Sequence, residues 1–381
     1  MSLRKVSLLC MLLVFAGGML TGCAQIPTKF RYHPGQALPD EISQEMVWPS
    51  SPDQARYRYV GQLTGEDNFY SPGEKTANAG LRFLKWLVGL TGHSPNPTVL
   101  QRPQAVMVAD DGRVFVSDVS RQAVYVFDKA NGSLDVWEMV NEELKFELPI
   151  GLAQAKNGDL LVADASLKVV VRLDSMGKPA GLIGLGQLTH PAGIAVNPDD
   201  GLIYVADRGE NQIKVFDDSG TLLFRVGEFG EELGQLNGPT YLFWHETQLY
   251  VTDTLNSRIQ IFSPTGEFVS TFGRRGLYLG DLPRPKGVAV DNAGNVYVVE
   301  SYYDYLLVFN REGELLLPVG GSGYEIGQFY LPAGVWADNK NYIYVADTFN
   351  GRVVIFEYLG DVDGPSHEES GAAADGVAAV Q

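Results

Sequence analysis

Cysteine is almost absent from this chain, since only Cys10 and Cys23 occur among its 381 residues. A disulfide framework and a cysteine metal site therefore have no basis in the sequence. Positive charge is also scarce: 29 lysines and arginines oppose 46 aspartates and glutamates, and the formal net charge is −17. Such a surface repels nucleic acid phosphates, so we expect no nucleic acid partner.

What is present is typical of a folded chain with many tight turns. Hydrophobic residues make up 45% of the sequence, and there are 43 glycines. Five prolines fall between residues 23 and 54, where we predict an extended tether rather than a domain. The end of the chain, residues 361–381, is acidic and rich in alanine and glycine, and we predict a disordered tail there.

The N-terminus has the features of an export signal. Arg4 and Lys5 precede the apolar run 6–20, which is shorter than the roughly 20 residues that a membrane-spanning helix needs. The run leads into Leu-Thr-Gly-Cys at 20–23, which resembles the lipobox of bacterial lipoproteins. This resemblance implies a signal peptide over residues 1–22 and a diacylglyceryl and palmitate anchor on Cys23. The alternative is an ordinary signal peptide in which Cys23 is incidental.

Ala24 bears on the membrane that would hold such an anchor. By similarity to lipoprotein sorting in bacteria with two membranes, alanine rather than aspartate after the lipidated cysteine implies the outer membrane. The resemblance therefore implies a chain that faces the periplasm, and the inner membrane stays open as an alternative.

A repeat runs from residue 103 to residue 356 and is marked at three positions in each unit. A proline opens the first strand-like run, at spacings of 42 to 48 residues: Pro103, Pro149, Pro191, Pro239, Pro285 and Pro332. An acid ends the second run: Asp118, Asp164, Asp207, Asp253, Glu300 and Asp347. Nine residues later comes a large apolar residue: Phe127, Leu173, Phe216, Phe262, Phe309 and Phe356. Three markers with one period indicate six copies of one structural unit.

Each unit contains four short runs that are rich in β-branched and aromatic residues. In the third unit these runs are 193–196, 203–207, 213–216 and 222–227, separated by glycine, asparagine and aspartate. Such runs predict antiparallel strands. Four strands repeated at this period are typical of propeller blades, so we predict an all-β, six-bladed β-propeller over residues 55–360.

The sixth unit lacks its fourth strand, because the acidic tail begins soon after Phe356. The missing strand has a counterpart near the N-terminus, where residues 56–61 match the fourth strands 222–227 and 270–273. We predict that this N-terminal strand completes the last blade, since closure of the ring removes an exposed sheet edge.

The units resemble the NHL repeat in their Pro-x-Gly-Ile-Ala-Val opening, their Tyr-Val-Ala-Asp second strand and their Asp-x-x-Asn-x-Arg turn. Only two units carry the whole turn signature: Asp253, Asn256 and Arg258, and Asp347, Asn350 and Arg352. We predict a structural role for these six residues, because such an acid accepts hydrogen bonds from its turn and pairs with the arginine. The whole chain resembles bacterial NHL-repeat lipoproteins, a resemblance that implies no settled activity.

Similar propellers include peptide-amidating lyases, whose metal sites use histidines, and metal-dependent lactone hydrolases. Here only His190 and His245 fall inside the blades, and they occupy different repeat positions. We therefore predict no catalytic residue, no histidine metal site and no cofactor. Carboxylates alone can bind a hard divalent cation, which leaves such a site in the channel open. A metal-dependent hydrolase or lyase acting at the channel mouth is the alternative function.

Departures from the repeat concentrate on one face of the predicted propeller. The link between the sixth and first blades, 61–103, is much longer than the others, and an apolar stripe predicts a helix over 76–90. We expect this helix either to plug the channel or to contact a partner or membrane. The opposite face has only short turns, such as those at 110–112 and 292–294, and we expect these to offer little to hold a ligand.

Two further departures on that face supply candidate binding residues. One is a basic cluster of Arg274, Arg275, Arg284 and Lys286, and the other is a turn with Tyr302, Tyr303 and Tyr305. Cations beside exposed aromatics suit a sugar, an anionic polymer or a protein. The alternative is that the charges are solvated and the tyrosines pack between blades. The sequence thus favours a lipid-anchored propeller that binds or scaffolds an envelope protein or glycan.

Overall fold

A computed structural model describes residues 29–32, 46–70 and 98–360. The predicted signal peptide 1–22, Cys23, the predicted helix 76–90 and the predicted tail 361–381 lie outside the described residues. In the part that is described, no helix is both long enough and apolar enough to cross a membrane.

Six antiparallel sheets follow one another along the chain, and they confirm the predicted six-bladed, all-β propeller. The N-terminal elements are β1 (Lys29–Phe30), β2 (Val47–Trp48), β3 (Tyr57–Leu63), a 3-10 helix (Glu66–Asn68) and β4 (Phe69–Tyr70). The first blade contains β5 (Pro103–Val108), β6 (Val114–Asp118), β7 (Ala123–Asp128) and β8 (Ser133–Trp137). The second contains β9 (Pro149–Gln154), β10 (Leu160–Asp164), β11 (Val169–Leu173) and β12 (Pro179–Ile183).

The third to sixth blades repeat this order. The third contains β13 (Pro191–Val196), β14 (Ile203–Asp207), β15 (Gln212–Phe216) and β16 (Leu222–Val226). The fourth contains β17 (Pro239–His245), β18 (Gln248–Asp253), a 3-10 helix (Thr254–Asn256), β19 (Arg258–Phe262) and β20 (Phe268–Phe272). The fifth contains β21 (Pro285–Val290), β22 (Val296–Glu300), β23 (Tyr305–Phe309) and β24 (Leu315–Gly320). The sixth contains β25 (Val335–Ala337), β26 (Tyr342–Asp347) and β27 (Arg352–Tyr358).

The N-terminal strand closes the ring, as the sequence predicts. Strand β3 pairs with β27 from Tyr57 opposite Tyr358 to Leu63 opposite Val353. Leu63 is buried in the apolar cluster between the sixth and first blades. Because this pairing joins the two ends of the propeller, it leaves β27 without an open edge.

Parts of the predicted tether pack against the propeller. Strand β2 pairs with β3 and makes the sixth sheet five-stranded. The Trp48 ring lies 5.3 Å from the ring of Phe356. Strand β1 pairs with β4, and the Phe30 ring lies 5.3 Å from that of Phe69. These contacts place two segments of residues 29–54 on the surface of the propeller.

The first strands of the six blades surround the central channel, and each contacts the first strands of its two neighbours. Glycines near their beginnings allow this close approach. A Cβ on Gly193 would lie 2.8 Å from the carbonyl oxygen of Thr240 in the next blade. A Cβ on Gly287 would lie 2.7 Å from the carbonyl oxygen of Ala333. The glycine of the Pro-x-Gly opening is therefore required by packing between blades.

Each repeated acid is buried and holds the link that enters its own blade. Asp118 accepts hydrogen bonds from the backbone N–H groups of Gln101 and Arg102, at 2.6 and 2.9 Å. Glu300 accepts one from the N–H of Arg284 at 2.9 Å. The acids of the other four blades accept equivalent bonds. Because the arrangement recurs in all six blades, we assign these acids to the scaffold.

Candidate functional site

The two faces of the propeller carry different connections. The links between blades and the turns after each second strand lie on one face, here called the loop face; it includes residues 273–284 and 301–304. The turns after the first and third strands lie on the other, here called the turn face; it includes residues 197–202. The strand directions within each antiparallel blade require this division. All the candidate binding residues belong to the loop face or to the strands that begin there.

The four basic residues do not form a free cationic cluster. The Arg274 side chain is 78% exposed, and its Nε donates to Asp281 Oδ1 at 2.8 Å. Arg275 Nη2 donates to the carbonyl oxygen of Leu255 at 2.8 Å. Arg284 Nη2 donates to the carbonyl oxygen of Ser301 at 2.5 Å. Three of the four guanidinium and ammonium groups are therefore engaged in holding loops.

Lys286 lies apart from the other three, because it belongs to β21 beside the channel. Burial lowers the pKa of Lys286, and the neighbouring positive charges of Arg208 and Arg284 lower it further. Arg208 lies in the third blade, so these cations approach one another across the loop-face mouth of the channel. Of the predicted basic cluster, Arg274, Arg275 and Arg284 are thus engaged within the loops, whereas Lys286 lies among cations at the mouth of the channel.

The three tyrosines occupy two environments. Tyr302 is exposed, and its ring packs edge-on against Tyr303 with 4.8 Å between the ring centroids. Tyr303 and Tyr305 are half-buried and line a pocket of about 270 Å³ on the loop face. The link between the fourth and fifth blades forms the other wall. The lining residues are Leu277, Tyr278, Leu279, Gly280, Asp281, Glu300, Tyr303, Tyr305 and Leu307.

The floor of this loop-face pocket includes the acid of the fifth blade. Glu300 is 1% exposed and accepts backbone hydrogen bonds from Tyr303 and Arg284, both at 2.9 Å. Burial raises the pKa of Glu300 above its usual value, although these backbone bonds oppose the increase. At the pocket wall, the Arg274 guanidinium holds the pKa of Asp281 below its usual range.

The rim of the pocket is apolar and open to solvent. We call Leu277, Tyr278, Leu279 and Tyr302 the apolar rim; Tyr278 is 80% exposed. Large apolar side chains are also exposed on neighbouring links, at Phe229, Leu233 and Tyr324. Contiguous exposed apolar surface marks interaction sites. Leu277–Leu279 were not among the predicted binding residues, although three consecutive apolar residues in a glycine-bounded link were a visible signal.

The turn face contains a cavity, although its short turns were expected to offer little to hold a ligand. A cavity of about 320 Å³ opens at the channel mouth there, among residues of five consecutive blades, from the sixth through the first to the fourth. Its lining includes Gln154, Lys156, Trp244 and Trp336. Short turns do not prevent a cavity, because its lining comes mainly from the ends of the first strands.

Aromatic side chains cross the middle of the channel. The fourth blade has Tyr241 where the second, third, fifth and sixth blades have glycine, and its hydroxyl donates to the carbonyl oxygen of Gln104, in the opposite blade, at 2.9 Å. Burial raises the pKa of Tyr241 well above its usual value. The Trp336 ring lies 5.4 Å from Phe243, two blades away. Since these contacts join blades that are not neighbours, the side chains separate the two channel mouths.

The described blades contain no concentration of metal ligands. Among residues 29–32, 46–70 and 98–360, no group of three histidine, cysteine, aspartate or glutamate residues is placed to hold a metal ion. His245 lies at the end of β17, and burial lowers its pKa. Its Nε2 is buried without a hydrogen-bond partner. Neither the loop-face pocket nor the turn-face cavity has a histidine in its lining.

Comparison with known proteins identifies the repeat and the architecture. Residues 188–216 match the family model of the NHL repeat. Streptogramin B lyase has a similar structure, with 14% identity, a TM-score of 0.52, and coverage of 68% of this chain and 94% of that chain. An auxiliary nutrient binding protein from Bacteroides thetaiotaomicron is 13% identical, with a TM-score of 0.54 and coverage of 68% and 70%. At these identities the similarity shows the fold alone.

A third similar structure is a gluconolactonase from Xanthomonas campestris. It is 18% identical, with a TM-score of 0.53, and the match covers 68% of this chain and 86% of that chain. Lyase, hydrolase and binding protein thus share this fold, so the fold does not select among these functions.

Proposed function

Because this chain is an NHL-repeat six-bladed β-propeller, we propose that it is a lipid-anchored binding propeller of the bacterial envelope that engages a protein partner through its loop face. The observation that carries the proposal is the apolar rim around the loop-face pocket. Leu277, Tyr278 and Leu279 are exposed to solvent rather than packed in the cores of the blades. Together they present an apolar surface to a partner. Tyrosine-rich apolar patches beside arginines are favoured in protein interfaces.

The rim is suited to a protein more than to an anionic polymer. The loop-face arginines near it are engaged with Asp281, Leu255 and Ser301, so they offer few free charges to a polyanion. Glu300 adds negative charge at the floor of the pocket, and among the described residues no salt bridge neutralises it. A partner with apolar and cationic side chains matches both features. A glycan that stacks on the tyrosines is the alternative ligand.

Replacement of Tyr278 by serine is expected to reduce partner capture severalfold. Tyr278 is 80% exposed, so the change removes contact area for a partner without opening the core. Cross-linking in intact cells, followed by identification of the attached proteins, measures capture. Met176→Ser is the matched control, since Met176 is 74% exposed on the turn face. Capture that survives Tyr278→Ser and is lost with Met176→Ser would place the interface on the turn face; attachment of glycan in place of protein would support the alternative ligand.

The proposed anchor at Cys23 has its own test. Cys23→Ser removes the thiol that would carry the lipid, so we expect unprocessed precursor and loss of the protein from the detergent phase. Fractionation of cells that express either form would measure both effects, and separation of inner and outer membranes would test the proposed outer-membrane location. A fully processed Cys23→Ser protein that still enters the detergent phase would contradict the anchor.

A hydrolase or lyase at a channel mouth is the second candidate function. The cavity of about 320 Å³ on the turn face favours it, because it is roughly the size of a small-molecule site. The purified chain can be assayed for hydrolysis of simple lactones. Hydrolysis that depends on added divalent cation, and that is abolished by a larger side chain filling the cavity, would support the enzyme over the binding protein.

A further inference from the structure

Three links of the propeller share one backbone conformation. In the links 227–238, 273–284 and 320–331 the same hydrogen bond closes the loop at 2.8 Å: Leu236 N–H to Glu228 O, Leu282 N–H to Arg274 O, and Phe329 N–H to Gly321 O. A Cβ on the glycine of each link would collide with a side-chain oxygen at the same later position: Gly230 with Gln235, Gly276 with Asp281, and Gly323 with Gln328. The links can therefore be compared residue by residue.

In the fourth and sixth blades an arginine fills the space between the acid and the link. Arg258 Nε donates to Asp253 at 2.9 Å, and its Nη2 donates to the carbonyl oxygens of Glu232 and Gln235 at 2.8 and 2.9 Å. The sixth blade repeats this arrangement with one guanidinium, one carboxylate and two carbonyls: Arg352, Asp347, Glu325 and Gln328. The space is thus built around a guanidinium group.

The fifth blade keeps this space but lacks the arginine. Glu300 stands in the position of Asp253, and Tyr305 stands in the position of Arg258. The carbonyl groups equivalent to those of Glu232 and Gln235 belong to Tyr278 and Asp281 in the link. All four of these residues line the loop-face pocket of about 270 Å³. The pocket therefore occupies the place that an arginine fills in the two flanking blades.

The charge in this pocket is not balanced by a nearby ion pair. Among the described residues, no salt bridge joins a cation to Glu300, whereas Asp253 and Asp347 each pair with an arginine. Arg284 is close, but its guanidinium donates to the carbonyl oxygen and hydroxyl of Ser301. Arg274 forms its ion pair with Asp281 rather than with Glu300. A buried carboxylate without a cation is costly, so a cation that enters the pocket gains a strong interaction.

We propose that the loop-face pocket of the fifth blade binds the guanidinium group of an arginine side chain presented by the protein partner. This inference rests on the proposed function, because the pocket opens within the apolar rim. The incoming guanidinium takes the position of the missing internal arginine: it donates to the Glu300 carboxylate and to the carbonyls of Tyr278 and Asp281. The rings of Tyr303 and Tyr305 lie against its flat faces.

Guanidinium fits this site better than other charged groups. Its planar fork donates five hydrogen bonds in fixed directions, and the same arrangement of one carboxylate and two carbonyls already accepts such a fork in the flanking blades. An ammonium group donates from one atom and cannot reach all three acceptors in this way. An anion is repelled by the Glu300 carboxylate. The site thus selects arginine over lysine and over acidic side chains.

The test uses Nα-acetyl-arginine amide as the probe and Nα-acetyl-citrulline amide as its uncharged analogue. Titration calorimetry with the purified full chain should show that the arginine probe binds at least about tenfold more tightly than the citrulline probe, the effect expected for a charge-assisted hydrogen bond. Glu300→Gln, which removes the charge and keeps the size, should weaken binding of the arginine probe by a similar factor.

Tyr305→Arg provides the decisive variant, because it places an arginine in the position that Arg258 and Arg352 hold in the flanking blades. This internal guanidinium should abolish binding of the probe without lowering the thermal unfolding midpoint, so that loss of binding cannot be attributed to unfolding. Met176→Ser on the turn face should bind the probe as the unaltered chain does. Equal affinity for the two probes, or undiminished binding by Tyr305→Arg, would overturn the inference.

The same variants separate this inference from the proposed function. Tyr278→Ser tests capture of a partner in cells, and the probe titration tests the pocket alone. Partner capture that depends on the rim, together with absence of probe binding, would overturn the guanidinium site and keep the binding function. Probe binding, together with partner capture that does not depend on the loop face, would keep the guanidinium site and overturn the proposed binding function.

Discussion

Removal of residues 55–63 is expected to abolish cooperative folding of the propeller. Strand β3 pairs with β27 along its whole length, and it buries Tyr57 and Leu63 to 2% and 0% exposure. Truncation of a single buried leucine costs about 2–5 kcal/mol. Since a domain is stable by only about 5–15 kcal/mol, loss of the entire strand should exceed what the remaining blades can supply.

Circular dichroism during thermal unfolding measures this effect, and removal of residues 361–381 is the control. That truncation leaves every pairing of the described sheets unchanged, so its unfolding midpoint should stay close to that of the full chain. Leu63→Ala gives an intermediate case that should still fold. Equal stability of the two truncated chains would show that the ring closes in another way.

Replacement of Arg352 by alanine is expected to destabilise the protein by about 3–5 kcal/mol, the usual cost of leaving one member of a buried ion pair without its partner. The Arg352 side chain is buried, and its Nε donates to Asp347 at 2.8 Å. Its other nitrogens donate to Gln62 of the closing strand and to the link before the sixth blade. The change therefore removes a donor from a carboxylate, an amide and two carbonyls, and it leaves the buried Asp347 with hydrogen bonds from Tyr330 and Asn350 but without its cation.

Urea unfolding measures this loss against an ion pair on the surface. Lys145 Nζ lies 2.6 Å from Glu138 Oε2, but both side chains are largely exposed. Lys145→Ala should therefore cost less than about 1 kcal/mol. The double change Asp347→Asn with Arg352→Met should cost less than Arg352→Ala alone, because no buried charge remains. Similar costs for the buried and the exposed pair would contradict the structural role of Arg352.

Much of the architecture was predictable because each blade repeats the same local requirements. The prolines, the acids and the apolar residue nine positions later recur with one period, and every acid accepts hydrogen bonds from the link before its blade. Asp253 and Asp347 illustrate this: both end a second strand, and both accept hydrogen bonds from the link and from an arginine five residues on. The place of the closing strand was predictable for the same reason, since Arg56–Gly61 matches other fourth strands.

The contacts across the channel were not predictable from the pattern. Tyr241 replaces a glycine, and a single substitution in a repeat does not show that the side chain reaches Gln104 in the opposite blade. The separate environments of the four basic residues were not predictable either. The guanidinium groups of Arg275 and Arg284 each donate to the backbone carbonyl of a residue that is distant in sequence. Lys286 instead lies beside the channel.

The sequence by itself determined the number of blades, the strand that closes the ring and the positions at which the fifth blade departs from the repeat, because these follow from periodic local signals. Only the tertiary structure decided what those departures produce. Glu300, Tyr305 and Leu277–Leu279 are separated along the chain, and they form one pocket because the link folds back over the end of β22. A pocket is defined by the space between side chains, and the sequence lists side chains without their distances.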